Sequence, residues 1–399
     1  MADREIRKKN FQTIESDPEE LSRKIRTHRL KIFRNIIIAA GVLILTAAGI
    51  ILFLRLREYT AYTVSESIER SDTSATRFFA YADGVVKYSN DGATYTNAAG
   101  EEVWNQTYEM QEPMVDNCGD YLAFAEMGGS KVYILNRQGL QGEVETNMKI
   151  DRVRVAGQGT VAVLMEKDGV SNIRLYDKKG NNLVGGQIHL EKSGYPLDIA
   201  LSDDAIKLAV SLLNISEGKV KTMIAFYNFG SVGQNEIDHM VSSYSYSDVV
   251  VPEIGFVSNN RMIAFGDTKV LIYEGTQKPA LEKEIKLEKE IKSVFYNQNY
   301  FGLINNNEDK ENTRHMEIYD TKGSHVLSKD FAMDYSEVEF LTNNEICIRN
   351  DTQCLIYNTY GVKHFAYTFD VPLFQIIAGK SPLSYTFIME GTTEKVRLK

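Results

Sequence analysis

The chain has few of the residues that build disulfide scaffolds or metal sites. Three cysteines in 399 residues are too few to staple an exported domain of this size, so an ordinary hydrophobic core must stabilise it. None of the six histidines has a partner at a metal-binding spacing such as His-x-x-x-His. Glycine-rich phosphate loops, Gly-x-Ser-x-Gly elbows and calcium loops are also missing. We therefore expect no cofactor and no metal site.

The chain has a single long hydrophobic run. Between Arg34 and Arg55 lie 20 uncharged residues. A helix of about 20 residues spans roughly 30 Å, the hydrocarbon thickness of a bilayer. This predicts a transmembrane helix at residues 35–54. A cleaved signal peptide is the alternative, and the 34 residues before the run argue against it.

Positive charge is concentrated before this run. Residues 1–34 contain ten Lys/Arg and six Asp/Glu, a net charge of +4. Because the whole chain carries −9, the rest of the chain carries −13. Basic flanks stay in the cytoplasm. We therefore predict a basic cytoplasmic tail at residues 1–34, with a helix from about residue 17, and a domain outside the cell membrane. An acidic domain repels phosphate, which disfavours nucleic acid as a partner.

The sequence from residue 60 onward repeats a strand-and-turn pattern. A strand that ends in an aromatic residue, a polar triplet and glycine recurs at 95–100, 175–180, 318–323 and 356–361. The glycine supplies a positive φ in the turn before the next strand. Units open near Phe78, Val115, Val153, Asp198, Ile254, Val294, Val338 and Phe374, with a mean period of about 42 residues, which is the period of a four-stranded propeller blade.

Eight opening strands predict an all-β, eight-bladed β-propeller at residues 76–399, with seven blades as the alternative. The last unit has room for three strands. A strand at 59–68, in the juxtamembrane segment 55–75, is predicted to complete it and close the ring. Residues 280–291 resemble a helix by composition, whereas the repeat register predicts an outer strand there. We follow the register, because helix propensity is a weak prior.

Two segments carry a family resemblance. Asp198 to Val210 resembles the strand-turn-strand of WD40-like repeats, and Gly100 to Trp104 resembles a turn in quinoprotein-like blades. The signature Trp-Asp dipeptides are absent, and a single tryptophan departs from the quinoprotein pattern. Tail, helix and repeats together resemble a Firmicute family of single-pass membrane-anchored β-propeller proteins, a domain of unknown function. The resemblance implies a fold and brings no catalytic residues.

The longest unit, 56 residues from Asp198 to Ile254, suggests a contact site. We place its excess in 239–249, on a connection between blades, where tyrosines alternate with serines as in adaptable contact surfaces. The predicted contact residues are Tyr195, Tyr244, Tyr246 and Asp248. The alternative is a long outer strand with a long turn.

Cys347 and Cys354 flank Asn350-Asp351, a plausible two-residue hairpin turn. That turn would place the two thiols opposite each other, as two small buried residues or as a cross-strand disulfide. Cys118 has no visible partner.

These patterns favour a binding or scaffold module of the cell envelope, contacting a protein or a wall polymer through inter-blade loops. The alternative is an envelope hydrolase or lyase acting on glycans or peptides, because carboxylates can converge in a propeller tunnel without a local motif. We expect no enzyme. His325 and His364 follow turn glycines in predicted outer strands, away from any axial site.

Overall fold

The chain contains one long helix and one large β domain. The computed structural model describes residues 18–71, 76–189, 194–216 and 218–399. Two compact units are present, Met1–Leu56 and Arg57–Lys399. In the first, helix α1 spans Pro18–Leu56, and its part Ile25–Leu54 is long and apolar enough to cross a membrane. Residues 1–17 of the predicted tail, which spans 1–34, lie outside the described residues.

The second unit is an eight-bladed β-propeller, as predicted, made of eight four-stranded antiparallel sheets. The strands of blades 1 to 4 are β2 Arg77–Tyr81, β3 Gly84–Ser89, β4 Gly92–Thr96, β5 Glu102–Thr107, β6 Pro113–Cys118, β7 Tyr121–Glu126, β8 Lys131–Asn136, β9 Gly139–Glu145, β10 Lys149–Val155, β11 Val161–Lys167, β12 Val170–Tyr176, β13 Asn182–His189, β14 Tyr195–Leu201, β15 Lys207–Ser216, β16 Lys219–Asn228 and β17 Met240–Ser247. Those of blades 5 to 8 are β18 Glu253–Ser258, β19 Arg261–Phe265, β20 Lys269–Glu274, β21 Ala280–Lys286, β22 Ile291–Tyr296, β23 Tyr300–Asn306, β24 Arg314–Asp320, β25 His325–Phe331, β26 Glu337–Phe340, β27 Ile346–Arg349, β28 Gln353–Tyr357, β29 Lys363–Thr368, β30 Leu373–Ala378, β31 Ser384–Met389, β32 Thr392–Leu398 and β1 Tyr62–Glu69.

The first strand closes the ring. The last sheet has the order β1-β32-β31-β30, so β1 occupies the outer position of blade 8. Its register runs from Tyr62 opposite Leu398 to Glu69 opposite Thr392. The predicted closing strand is therefore confirmed. The outer strand expected within 280–291 is confirmed as well, as β21.

Alternating strand direction gives the propeller two distinct ends. One end carries the loops between first and second strands and the loops between third and fourth strands. The chain also joins the propeller at this end, at Arg57, and we call it the proximal face. Loops between second and third strands share the opposite end with the blade-to-blade connections, which we call the distal face.

The repeated polar turns are held by a side-chain cap. In the turn after β12, Asp177 Oδ1 accepts hydrogen bonds from the backbone N–H groups of Lys179 and Asn181, both at 2.9 Å. The turn glycine, Gly180, has a φ of +86°. Asp320 and Asn358 make the same pair of contacts in blades 6 and 7. The first polar residue of the triplet therefore closes the turn, and the glycine lets the chain reverse.

Every outer strand has a shift in register near its start. In blade 3, for example, Leu175 lies opposite Val184 while Tyr176 lies opposite Asn182, which leaves Leu183 as an extra residue. Such bulges increase local twist and redirect a side chain. Leu183 and Val326 consequently point to solvent, whereas His364 at the same position of blade 7 is fully buried.

Candidate functional site

The predicted contact residues lie in blade 4, and the structure corrects their setting. Tyr244 and Tyr246 lie on outer strand β17 rather than on a connection between blades. The Tyr/Ser alternation has the two-residue period of a strand, with serines facing solvent. The excess length of the unit lies in the ten-residue strands β15 and β16 and in the loop at residues 229–239. The alternative of a long outer strand with a long turn therefore describes this unit.

Both tyrosine hydroxyls are engaged within the propeller. The Tyr246 hydroxyl lies 2.6 Å from the Tyr273 hydroxyl of blade 5, and the Tyr244 hydroxyl donates to the Pro279 carbonyl at 3.1 Å. Burial raises the pKa of Tyr246 and, more strongly, that of Tyr273, so both phenols keep their protons. These tyrosines therefore join blade 4 to blade 5.

Tyr195 and Asp248 are not gathered around these two tyrosines. Tyr195 is the first residue of inner strand β14 and lies in one row with Leu213, Thr222 and Tyr246. Tyr195 and Tyr246 are thus at opposite edges of the blade, three strand spacings or about 14 Å apart. Asp248 follows β17 on the distal face. The four residues do not form one compact site.

A cluster of mostly charged residues that the sequence did not reveal, which we call the channel cluster, lies along the inner strands of blades 2 to 6. Its members come from β6, β10, β14, β18 and β22 and are Asp116, Arg154, Asp198, Glu253 and Tyr296. Arg154 Nη2 donates to Asp198 Oδ1 at 2.8 Å. Successive members are 38 to 55 positions apart in sequence, so no local motif could indicate the cluster.

Two carboxylates of this channel cluster link adjacent blades. Asp116 Oδ2 accepts a hydrogen bond from the Val155 N–H at 2.6 Å, and Asp198 Oδ2 accepts one from the Ile254 N–H at 3.0 Å. Burial raises the pKa of Asp198, and Arg154 opposes that rise. Burial is the larger cause of the raised pKa of Glu253, and repulsion from Asp198 raises this pKa further. Among the residues that the structure describes, Glu253 is the cluster carboxylate without a hydrogen bond or ion pair.

The raised pKa of Asp116 predicts a pH-dependent stability. Burial raises it from 3.8 to about 6, against the pull of Arg154. The folded state then holds a proton that the unfolded state has lost, so stability falls as pH rises from about 4 to 6. Asp116→Asn keeps an acceptor for Val155 and should remove this fall, roughly 2–3 kcal/mol. Unfolding midpoints at pH 4 and pH 7 measure it, and an unchanged pH profile in the variant would contradict the assignment.

The predicted arrangement of Cys347 and Cys354 is wrong by two residues. Cys347 lies opposite Ile356, and Cys354 lies opposite Arg349, because the turn lies one residue later, at Asp351 and Thr352, and the Asn350 N–H donates to the Gln353 carbonyl at 3.0 Å. Asn350 Oδ1 accepts from the N–H groups of Thr352 and Gln353 and holds this turn. All three cysteines are free, and burial raises the pKa of Cys354 to about 12, so its thiol is protonated.

His364 belongs to a buried network between blades 7 and 8. Its Nδ1 lies 2.5 Å from Glu345 Oε1, and the Tyr385 hydroxyl donates to the other carboxylate oxygen. The His364 carbonyl accepts from the Tyr59 N–H at 2.9 Å. Among described residues, no group of three or more His, Cys, Asp or Glu side chains could hold a metal ion.

The two faces differ sharply in charge. The described loops of the distal face contain fifteen Asp/Glu and three Lys/Arg. The proximal loops, with residues 57–61 and Lys399, contain ten Asp/Glu and eight Lys/Arg. The negative charge that the sequence places in this domain is therefore concentrated on the distal face, which includes Asp248.

Several solved structures are similar to this chain at low identity. BamB from Moraxella catarrhalis is 12% identical, with a TM-score of 0.49, over 85% of this chain and 100% of that one. The Neurospora crassa Pan2 WD40 domain is 9% identical, with a TM-score of 0.43, over 86% and 97%. Kuenenia stuttgartiensis hydrazine synthase is 9% identical, with a TM-score of 0.47, over 78% and 99%.

None of these identities and TM-scores supports an argument about function. No protein with a curated function matches the chain. Residues 55–398, which contain the whole propeller, match one family description. The chain therefore belongs to the family of unknown function DUF5711.

Proposed function

We propose that this protein is a membrane-attached binding module of the cell envelope whose distal face recruits a protein with a basic surface. The charge asymmetry between the two faces carries the proposal. Fifteen acidic residues in the described parts of the distal loops, against three basic ones, create a negative field at one end of a rigid scaffold. Such a field speeds the encounter with a basic partner and rejects acidic ones.

Two loops at blade 6 carry several exposed carboxylates of this face. The connection 287–290 precedes the blade, and the loop 307–313 joins its second and third strands. Four exposed carboxylates on them can be neutralised without touching the core: Glu288, Glu290, Glu308 and Glu311. A control with the same change of net charge neutralises four exposed carboxylates at or beside the proximal face: Glu101, Glu102, Asp120 and Glu282.

The test is cross-linking and affinity isolation of the full-length protein from native membranes. Wild type and the control variant should recover the same basic protein, and the blade 6 variant should recover at least fivefold less. The contact should weaken as salt rises, because exposed charges are screened within about 10 Å at 0.1 M. Equal recovery by all three proteins, or an acidic partner, would overturn the proposal.

A second candidate, an envelope hydrolase or lyase working in the channel, has one observation in its favour. Glu253 combines a raised pKa with a carboxylate that is free of structural hydrogen bonds, and Arg154 and Tyr296 lie nearby. General acids in hydrolases have these properties. Asp116 and Asp198, in contrast, hold neighbouring blades together, so the binding module remains the function that the geometry supports best.

A further inference from the structure

The chain enters the propeller a few residues after the apolar helix. The apolar part of α1 ends at Leu54, and Tyr59, five residues later, is 4% exposed within the propeller. Five residues reach at most about 18 Å when fully extended. A membrane crossed by this helix therefore lies within about 18 Å of the point at which the chain enters the propeller, whatever the direction of the helix.

The segment that enters the propeller is bonded to two blades. The Tyr59 N–H donates to the His364 carbonyl at 2.9 Å, and the Tyr59 carbonyl accepts from the Ala366 N–H at 3.3 Å, so the segment pairs with the outer strand of blade 7. The Lys399 N–H donates to the Ala61 carbonyl at 2.9 Å, at the end of blade 8. The tether between membrane and propeller therefore ends at Tyr59 and is no longer than the five residues counted above.

Exposed hydrophobic side chains recur around the rim of the proximal face. In five blades the second residue of the outer strand, which begins at this face, is between 37% and 58% exposed: Val103, Leu140, Leu183, Leu281 and Val326. Blades 4 and 7 carry Ile237 and Tyr360 in the loop before the outer strand, and blade 8 carries Val64 in β1, with exposures from 48% to 87%. Each of the eight blades thus contributes one member to what we call the apolar ring.

The distal ends of the same outer strands are different. Their last residue is polar or charged in seven of the eight blades, and in blade 6 it is Phe331, which is buried. Single exposed hydrophobic residues are normal on a protein surface. Their repetition in every blade at one face, and not at the other ends of the same strands, indicates a surface that is covered.

The charges of the two faces favour the same orientation. A membrane surface that carries anionic lipids has a negative potential. It repels the distal loops, with fifteen Asp/Glu and three Lys/Arg among their described residues, more than the proximal loops, with ten and eight. Apolar side chains that enter the boundary between headgroups and acyl chains bind a membrane in proportion to the apolar area that they bury.

We infer that the proximal face of the propeller rests flat on the lipid surface, with the apolar ring in the headgroup layer. The short tether supplies the lipid, and the apolar ring and the balanced charge supply the contact. The inference rests on the membrane attachment in the proposed function and is independent of the partner proposed for the distal face.

Blades 3 and 4 provide the strictest test. In a ring of eight they lie opposite blades 7 and 8, where the chain enters, so a propeller that only hung from its tether would hold them away from the lipid. Leu183→Trp and Ile237→Trp place a reporter on the apolar ring there. Ile215→Trp is the matched control, because this exposed residue lies at the distal end of blade 4. Phe53→Trp reports on the apolar helix itself.

Each full-length protein would be placed singly in nanodiscs of phosphatidylcholine and phosphatidylglycerol, with or without bromine near the glycerol end of the acyl chains, which quenches nearby tryptophan. The emission of Trp104 is subtracted with the wild type. Bromine should at least halve the added emission of Leu183→Trp, Ile237→Trp and Phe53→Trp, and should change that of Ile215→Trp by less than a tenth.

The other outcomes separate this inference from the attachment on which it rests. Quenching of Phe53→Trp without quenching of Leu183→Trp and Ile237→Trp would overturn the inference and leave the attachment standing. An unquenched Phe53→Trp would overturn both. Quenching of Ile215→Trp as strong as that of Ile237→Trp would also overturn the inference, because the proximal face would then not be the one that rests on the lipid.

Discussion

Deleting residues 62–69 from the full-length protein is expected to abolish the closed propeller. Strand β1 supplies the whole outer edge of blade 8 through its ladder with β32. Without it, the backbone groups of β32 face water along an unpaired edge, which invites pairing with other chains. The deleted protein should aggregate or unfold at a much lower guanidinium concentration. Trp104, the single tryptophan, reports unfolding by fluorescence from blade 1.

The matched control for this deletion changes the side chains and keeps the backbone. Seven of the eight residues of β1 are exposed, so their identity contributes little to packing. Replacing 63–69 by threonine while keeping Tyr62 should cost only about 1 kcal/mol, the span of strand propensities in a host protein. If the polythreonine protein were as damaged as the deleted one, specific side chains rather than the ladder would close the ring.

The second large effect is expected at Glu345. Its carboxylate accepts from the Tyr385 hydroxyl and from Asn343 Nδ2, and it contacts His364. Both rings are almost fully buried, with exposures of 2% for Tyr385 and 0% for His364. Glu345→Ala would leave the phenol and the imidazole without this partner inside the protein. We expect a loss of about 2–6 kcal/mol, because each of the two buried polar groups left without this partner costs about 1–3 kcal/mol.

One milder variant separates the contributions at this network. Tyr385→Phe removes one donor and leaves the carboxylate with His364 and Asn343, so it should cost about 1–2 kcal/mol. Burial raises the pKa of Tyr385, and the nearby Glu345 carboxylate raises it further. The phenol therefore remains a donor across the accessible pH range. Guanidinium midpoints of the three proteins provide the comparison. A Glu345→Ala midpoint equal to that of wild type would refute the structural role of the network.

Local features of the fold could be predicted from the sequence because their causes are local. The turn at Asp177 to Gly180 depends on one side chain that caps nearby N–H groups and on one glycine with positive φ. The same pattern at the other turns gave the period and therefore the number of blades. Even β21 followed, because its position in the repeat outweighed its helical composition.

Features that depend on distant contacts could not be predicted in this way. Asn350-Asp351 is compatible with a two-residue turn, but the turn lies one residue later, at Asp351 and Thr352, where the Asn350 side chain accepts hydrogen bonds from Thr352 and Gln353 that the dipeptide alone does not indicate. The channel cluster draws one residue from each of five blades. The length of the blade 4 unit alone does not show where its excess lies, and much of it precedes residue 239, so Tyr244 and Tyr246 fall on the outer strand rather than on a connection.

Closure by β1 also determines the order in which the fold can be completed. Thr63 donates to the Arg397 carbonyl across 334 positions of sequence. Strand β1, which completes the last blade, is thus synthesised first, and its partner β32 is synthesised only when almost the whole chain exists. Such long-range pairing slows folding. Until the last strand is made, an unpaired edge and an open ring are exposed, so the period of synthesis is when this protein is most vulnerable to misassembly.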